Sequence, residues 1–236
     1  MRKLLPIVLV LFASQAFGES KEIVDLRRKA EASDAEAQFN LGVIYANGQG
    51  VAKDEKEAVK WFRKATDQGV VEAQFNLGLM YLDGPQHKKL KEQIVKLDMV
   101  IGNYRNTLDA NPVLAAVLTP QIKAKELEKS ELEKQLSELV YKSNQEAAKW
   151  FLRAAKQGYP QAQFGLGVMY AKGQGLPKNH PAAFAWFVIS VYYGYQNASR
   201  NRDIIAKSMT PEQIAKAQEL SKELLKQIEA NKAAKE

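Results

Sequence analysis

The chain contains no cysteine. Disulfides, thiol catalysis and thiolate-held metals are excluded together, and so is lipid attachment at an N-terminal cysteine. Histidine is nearly as scarce. His87 and His180 are the only two, each beside turn residues and neither at helical spacing from the other. No nucleophile elbow, phosphate-cradling loop or paired acidic motif occurs. Gly48-Gln49-Gly50 and Gly173-Gln174-Gly175 lack a third glycine and follow helical rather than strand patterns, so they read as turns. No catalytic residue, metal ligand or cofactor is expected.

Long apolar runs are missing too. The one candidate, residues 4–12, is about half the roughly 20 residues that a membrane-spanning helix needs. It follows the basic Met1-Arg2-Lys3 and precedes Ala16-Phe17-Gly18, whose small residues suit cleavage before Glu19; Ser14-Gln15-Ala16 is a second option. Residues 1–18 therefore read as a secretory signal peptide, and a periplasmic or secreted chain without a membrane span is expected. Without disulfides, such a chain must be held by packing alone.

A charge of one sign is also lacking. Formally +7, the chain interleaves its lysines with glutamates and keeps its aromatics at repeat positions. A nucleic-acid binder would show a basic stripe with stacking aromatics, so no nucleic-acid partner is expected. Solvated helix faces explain the charges, with weak affinity for an acidic envelope surface as the other reading.

What the chain has is a repeat. AEAQFNLGVIYANGQG (residues 35–50) returns as AQFNLGLMYLDG (residues 73–84) and AQFGLGVMYAKGQG (residues 162–175). EAVKWFRKATDQG (residues 57–69) returns as EAAKWFLRAAKQG (residues 146–158) and more loosely as AAFAWFVISVYYG (residues 182–194). Ala37 and Ala73 are 36 residues apart, a period that marks stacked helical hairpins. Ala37, Leu41, Ile44 and Tyr45 form one apolar stripe, and Ala58, Trp61, Phe62 and Ala65 form the next. Ala37 and Gly42 permit close helix approach, while Gly48 and Gly50 suit the intervening turn.

The pattern Ala-x-x-x-Leu-Gly-x-x-Tyr-x-x-Gly-x-Gly, followed by Ala-x-x-Trp-Phe-x-x-Ala-x-x-x-Gly, resembles the Sel-one-like repeat (SLR), a relative of the tetratricopeptide repeat. The resemblance implies an all-α solenoid of antiparallel helix pairs with three repeats. It covers most of the chain outside one insertion. The organisation expected is a capping helix in 19–34, repeat 1 in 35–70, and repeat 2 split between 71–84 and 143–159. Repeat 3 then spans 160–195, and capping helices fill 196–236.

Repeat 2 is split because its tryptophan, Trp150, comes 53 residues later than Trp61 predicts. Residues 85–142 carry a heptad seam at Leu90, Ile94, Leu97, Ile101, Tyr104 and Leu108. Asn111-Pro112 breaks it, and Thr119-Pro120 reads as the cap and first residue of a second helix bearing Ile122, Leu127, Leu132, Leu136 and Leu139. An inserted helical hairpin is expected. Its seam is closed internally or is partly open to a partner or a second copy, and its apolar tip, residues 113–118, reads as a contact surface. Ile23, Leu26 and Ala30 predict the first cap. Thr210-Pro211-Glu212-Gln213 starts the last helix, and residues 226–236 are expected to fray.

The resemblance implies protein–protein interaction, here an exported, non-enzymatic scaffold or adaptor of the cell envelope. Carried over from tetratricopeptide geometry, the concave groove would receive Glu36, Phe39, Val43 and Asn47 from repeat 1. Glu72, Phe75, Leu79 and Asp83 follow from repeat 2, and Gln161, Phe164, Val168 and Lys172 from repeat 3. Asn40 and Asn76 adjoin this row, which Gly165 interrupts. Each phenylalanine fits either the groove or the core between units. The alternative is binding or hydrolysis of cell-wall or β-lactam compounds, an activity ascribed to some secreted relatives, but those carry the cysteine pairs absent here.

Overall fold

The computed structural model describes residues 20–234, and every regular element among them is helical. The expected signal peptide lies outside these residues. The elements are α1 (Lys21–Glu31), α2 (Ala35–Asn47), α3 (Glu55–Asp67), α4 (Val71–Leu82) and α5 (Pro85–Ala110). After a short 3-10 turn (Pro112–Leu114) come α6 (Ala115–Ala155), α7 (Pro160–Lys172), α8 (His180–Tyr192), α9 (Ala198–Ala206) and α10 (Pro211–Ala233).

Local chemistry sets the helix ends. Asp34, Asp54 and Asn179 cap α2, α3 and α8 with side-chain oxygens that accept backbone N–H bonds. Thr210 and Gln213 form a reciprocal capping box at α10. Gly48 and Gly173 end α2 and α7 in the left-handed conformation, at φ 70° and 71°.

Three helix pairs stack into the all-α solenoid: α2 with α3, α4 with the end of α6, and α7 with α8. Each pair closes in the same way. A Cβ on Gly42, Gly78 or Gly167 would come within 2.6, 2.5 and 2.5 Å of the rings of Phe62, Phe151 and Phe187. These glycines are thus where the second helix drops its phenylalanine onto the first. Each unit also buries a glutamine of its first helix, Gln38, Gln74 or Gln163. Gln68 donates to Gln38 and Gln157 to Gln74, each at 2.8 Å. In the last pair Tyr193 replaces that donor, so the Oε1 of the fully buried Gln163 has no hydrogen-bond partner among the described residues. The ladder stops with the solenoid.

Several sequence expectations change. The second hairpin helix does not start at Thr119-Pro120. It begins at Ala115 on the 3-10 turn, and Pro120 sits exposed inside α6. Leu127 is 73% exposed and lies off the seam, where Lys125 and Lys129 are instead half-buried. Residues 226–233 do not fray: α10 continues to Ala233 and buries Ile228, one helical turn beyond Leu224, in the core. Trp61 is buried as expected, whereas Trp150 is only half-buried.

Candidate interaction surfaces

The residues of the predicted groove row are either exposed or half-buried. Glu36 and Glu72 at one end, and Asn47, Asp83 and Lys172 at the other, are exposed. Asn40, Asn76, Val43, Val168 and Gln161 are half-buried, and Leu79 is 43% exposed. Phe39, Phe75 and Phe164 are half-buried, each against the phenylalanine of its own partner helix: Phe62 at 5.9 Å, Phe151 at 5.5 Å and Phe187 at 5.8 Å between ring centroids. Phe75 and Phe164 also meet Tyr159 and Tyr195, both at 5.2 Å. The rings bridge core and surface. Gly165, which interrupts the asparagine row, lies where a Cβ would stand 3.0 Å from Phe151. The ring from the preceding unit takes the space an asparagine would need.

The hairpin is a second surface. Leu97 and Ile101 are buried in its seam, and Arg105 pairs with Glu126 at 2.5 Å and Lys129 with Asp98 at 2.7 Å across it. The seam is closed internally. At the tip, Val113 is 88% exposed and Val117 57%. α6 then runs without a break into the second helix of the interrupted unit.

A cleft of about 510 Å³ opens where the hairpin leaves the solenoid, between α3, the end of α4 and the start of α5. At its back His87 is 2% exposed and shares a hydrogen bond of 3.1 Å with the Ser143 hydroxyl on α6. The sequence placed His87 beside a turn without a partner. The partner lies 56 residues away, beyond the reach of local patterns. His180 is similarly matched to Ser208 at 3.1 Å.

Among titratable groups, Tyr193 stands out. Burial raises its hydroxyl well above the ordinary tyrosine range, and the hydrogen bond it donates to Glu229 adds to the shift. This contact joins α8 to α10, and Lys232 lies 4.0 Å over the same ring. It is a clamp on the terminal cap. No group of three or more His, Asp or Glu able to hold a metal occurs among the described residues, and none of their helices is long and apolar enough to cross a membrane.

Comparison with known proteins fits this geometry. The Sel1 repeat model matches residues 35–70, 71–93, 135–159 and 160–189, the middle two flanking the outer part of the hairpin. The crystal structure of a Sel1 repeat protein from Oxalobacter formigenes aligns with TM-score 0.50 and 25% identity, covering 78% of this chain and 98% of that one. The structure of c5321, a protective antigen of uropathogenic Escherichia coli with an SLR fold, aligns at 24% identity over 90% of this chain and 50% of that one, with TM-score 0.37. Among curated proteins, the chitin synthase regulator SKT5 of Saccharomyces cerevisiae is 40% identical over 62 residues. That match covers 26% of this chain, which spans only 8% of the SKT5 length.

Proposed function

The chain belongs to the Sel1 repeat family, and on that premise we propose that it is an exported, non-catalytic scaffold that holds partner proteins in the cell envelope. Sel1 repeats generally mediate protein–protein interaction, and their proteins are generally non-catalytic. The observation that carries the reading is the row on α2, α4 and α7. Its middle member, Leu79, leaves 43% of its surface in solvent while Leu77, two residues earlier, is fully buried. An apolar side chain set between Asn76 and Asp83 offers a partner segment both an anchor and hydrogen bonds. Export is read from Met1-Arg2-Lys3, the apolar residues 4–12 and the small residues before Glu19.

Two measurements test the proposal. N-terminal sequencing of the protein from its native host should begin at Glu19; recovery of Met1 from a soluble cytoplasmic fraction would refute export. Crosslinking in the host should yield adducts that Leu79→Glu removes without changing the helical circular dichroism. Adducts that survive Leu79→Glu would take the function away from this row.

A further inference from the structure

We propose that the cleft at the root of the hairpin docks an acidic segment of a partner protein through one large apolar side chain. The inference rests on the interaction-protein reading but uses a different surface from the helix row. The floor of the cleft is apolar, made by Val59 of α3, Met80 of α4 and Pro85 of α5. Its rim is cationic: Lys56 and Arg63 from α3 and Lys89 from α5 line it, and no carboxylate among the described residues does. Lys56 and Lys89 are exposed and make no ion pair among the described residues. Arg63 makes one hydrogen bond, to the Tyr81 hydroxyl at 2.8 Å, and retains further donors.

The neighbouring carboxylates do not neutralise this rim. Glu55 and Asp83 are both engaged by Lys88 at 3.4 Å, and Glu55 also by Lys53 at 3.4 Å. The first turn of α5 points the same way: Gly84 supplies no side-chain cap and Pro85 follows it, so the positive end of a 26-residue helix adjoins the rim. Three like charges around an apolar floor repel one another until a carboxylate arrives. A free anion would leave the floor wet, and a neutral apolar segment would leave the rim unpaired. An acidic segment with one apolar anchor satisfies both. The volume, about 510 Å³, is in the range of clefts that enclose a side chain or small ligand rather than a flat partner face.

The test is selection of random dodecapeptides displayed on phage against the whole chain, followed by titration of the most enriched peptide as a fluorescent synthetic copy. Enriched peptides should carry an aromatic or large aliphatic residue beside Asp or Glu. The synthetic peptide should bind the K56E/K89E double variant about tenfold or more weakly and lose affinity as NaCl rises from about 50 to about 500 mM. It should still bind Leu79→Glu. Both lysines are solvated, so the fold should persist; K56Q/K89Q should show a smaller loss in the same direction. Enrichment of peptides without acidic residues, equal binding to K56E/K89E, or no enrichment at all would overturn the assignment. Peptides lost on Leu79→Glu but unaffected by K56E/K89E would sink this proposal while supporting the helix row.

Discussion

Gly78→Ala and Gly102→Ala make the same chemical change inside two helices, α4 and α5, and should shift stability in opposite directions. A Cβ at Gly102 would meet nothing within 4 Å among the described residues. There the substitution only removes backbone freedom from the unfolded chain, a gain of roughly 0.5–1 kcal/mol. At Gly78 the Cβ would stand 2.5 Å from one ring carbon of Phe151 and 2.6 Å from another. Phe151 is 2% exposed, stacks on Phe75 at 5.5 Å, and has Gly165 against its far edge, where a Cβ would come within 3.0 Å. Held on both sides, the ring cannot swing away.

Overpacking of this kind costs about 1–3 kcal/mol, and a clamped ring places it near the upper end. After the propensity gain, a net loss of about 2 kcal/mol remains for Gly78→Ala, or a fall in melting temperature of about 4–8 °C. Urea titration followed by far-ultraviolet circular dichroism would measure both variants. Adding Phe151→Leu to Gly78→Ala should recover part of the loss, because the smaller side chain vacates the contact. Equal stability of Gly78→Ala and Gly102→Ala would refute the claim that the phenylalanine, rather than helix propensity, dictates glycine here.

Two further substitutions probe the core and the terminal clamp. Trp61→Ala should cost about 3–5 kcal/mol as a buried aromatic, and Trp150→Ala clearly less because its ring is half-buried beside Arg153; parallel urea titrations would show whether burial sets the order. Tyr193 has its folded-state pKa raised, so its stabilising effect is complete below the ordinary tyrosine value near 10 and is lost as pH climbs above it, where the unfolded chain ionises first. Tyr193→Phe should therefore flatten the fall in stability above about pH 10, read as thermal midpoints across that range; an unchanged slope would remove Tyr193 from the alkaline transition.

The repeats were legible in the sequence because each core contact has its own letter. Gly42 and Phe62, or Gly167 and Phe187, are paired by period alone, and left-handed Gly48 and Gly173 mark the turns between them. Departures arose where tertiary contact outweighed a local signal. Residues 226–233 look polar, but α10 lies on α8 and buries Ile228 on the inner face. Thr119-Pro120 looks like a helix start, but the turn at Pro112–Leu114 had already begun one, and α6 carries the exposed Pro120 as its sixth residue at the cost of the backbone hydrogen bond to Ala116 that proline cannot donate. The cleft could not be read at all. Lys56, Met80 and Lys89 come from three helices, and no window of sequence contains the geometry that joins them.

The same competition explains why α6 is continuous through Ser143. Asp54 and Asn179 cap the second helices of the first and last units, and Ser143 holds the equivalent place in the middle unit, with Glu146 three residues on. By local rules this is a helix start. Instead Ser143 lies inside α6, and its hydroxyl faces His87. With the hairpin packed upstream, the helix meets no reason to begin again, since its first-turn N–H groups already have partners in the preceding turn. Replacing residues 85–142 with the first unit's own turn, Gln49-Gly50-Val51-Ala52-Lys53, should therefore let Ser143 act as the cap and restore an uninterrupted repeat. The shortened chain should remain helical and unfold cooperatively, and Ser143→Ala in it should cost about 1 kcal/mol, the ordinary value of a lost cap. A chain that loses its helical signal or its cooperative transition would show that the hairpin is needed to fold the middle unit, and that the capping sequence at Ser143 is insufficient to start a helix there.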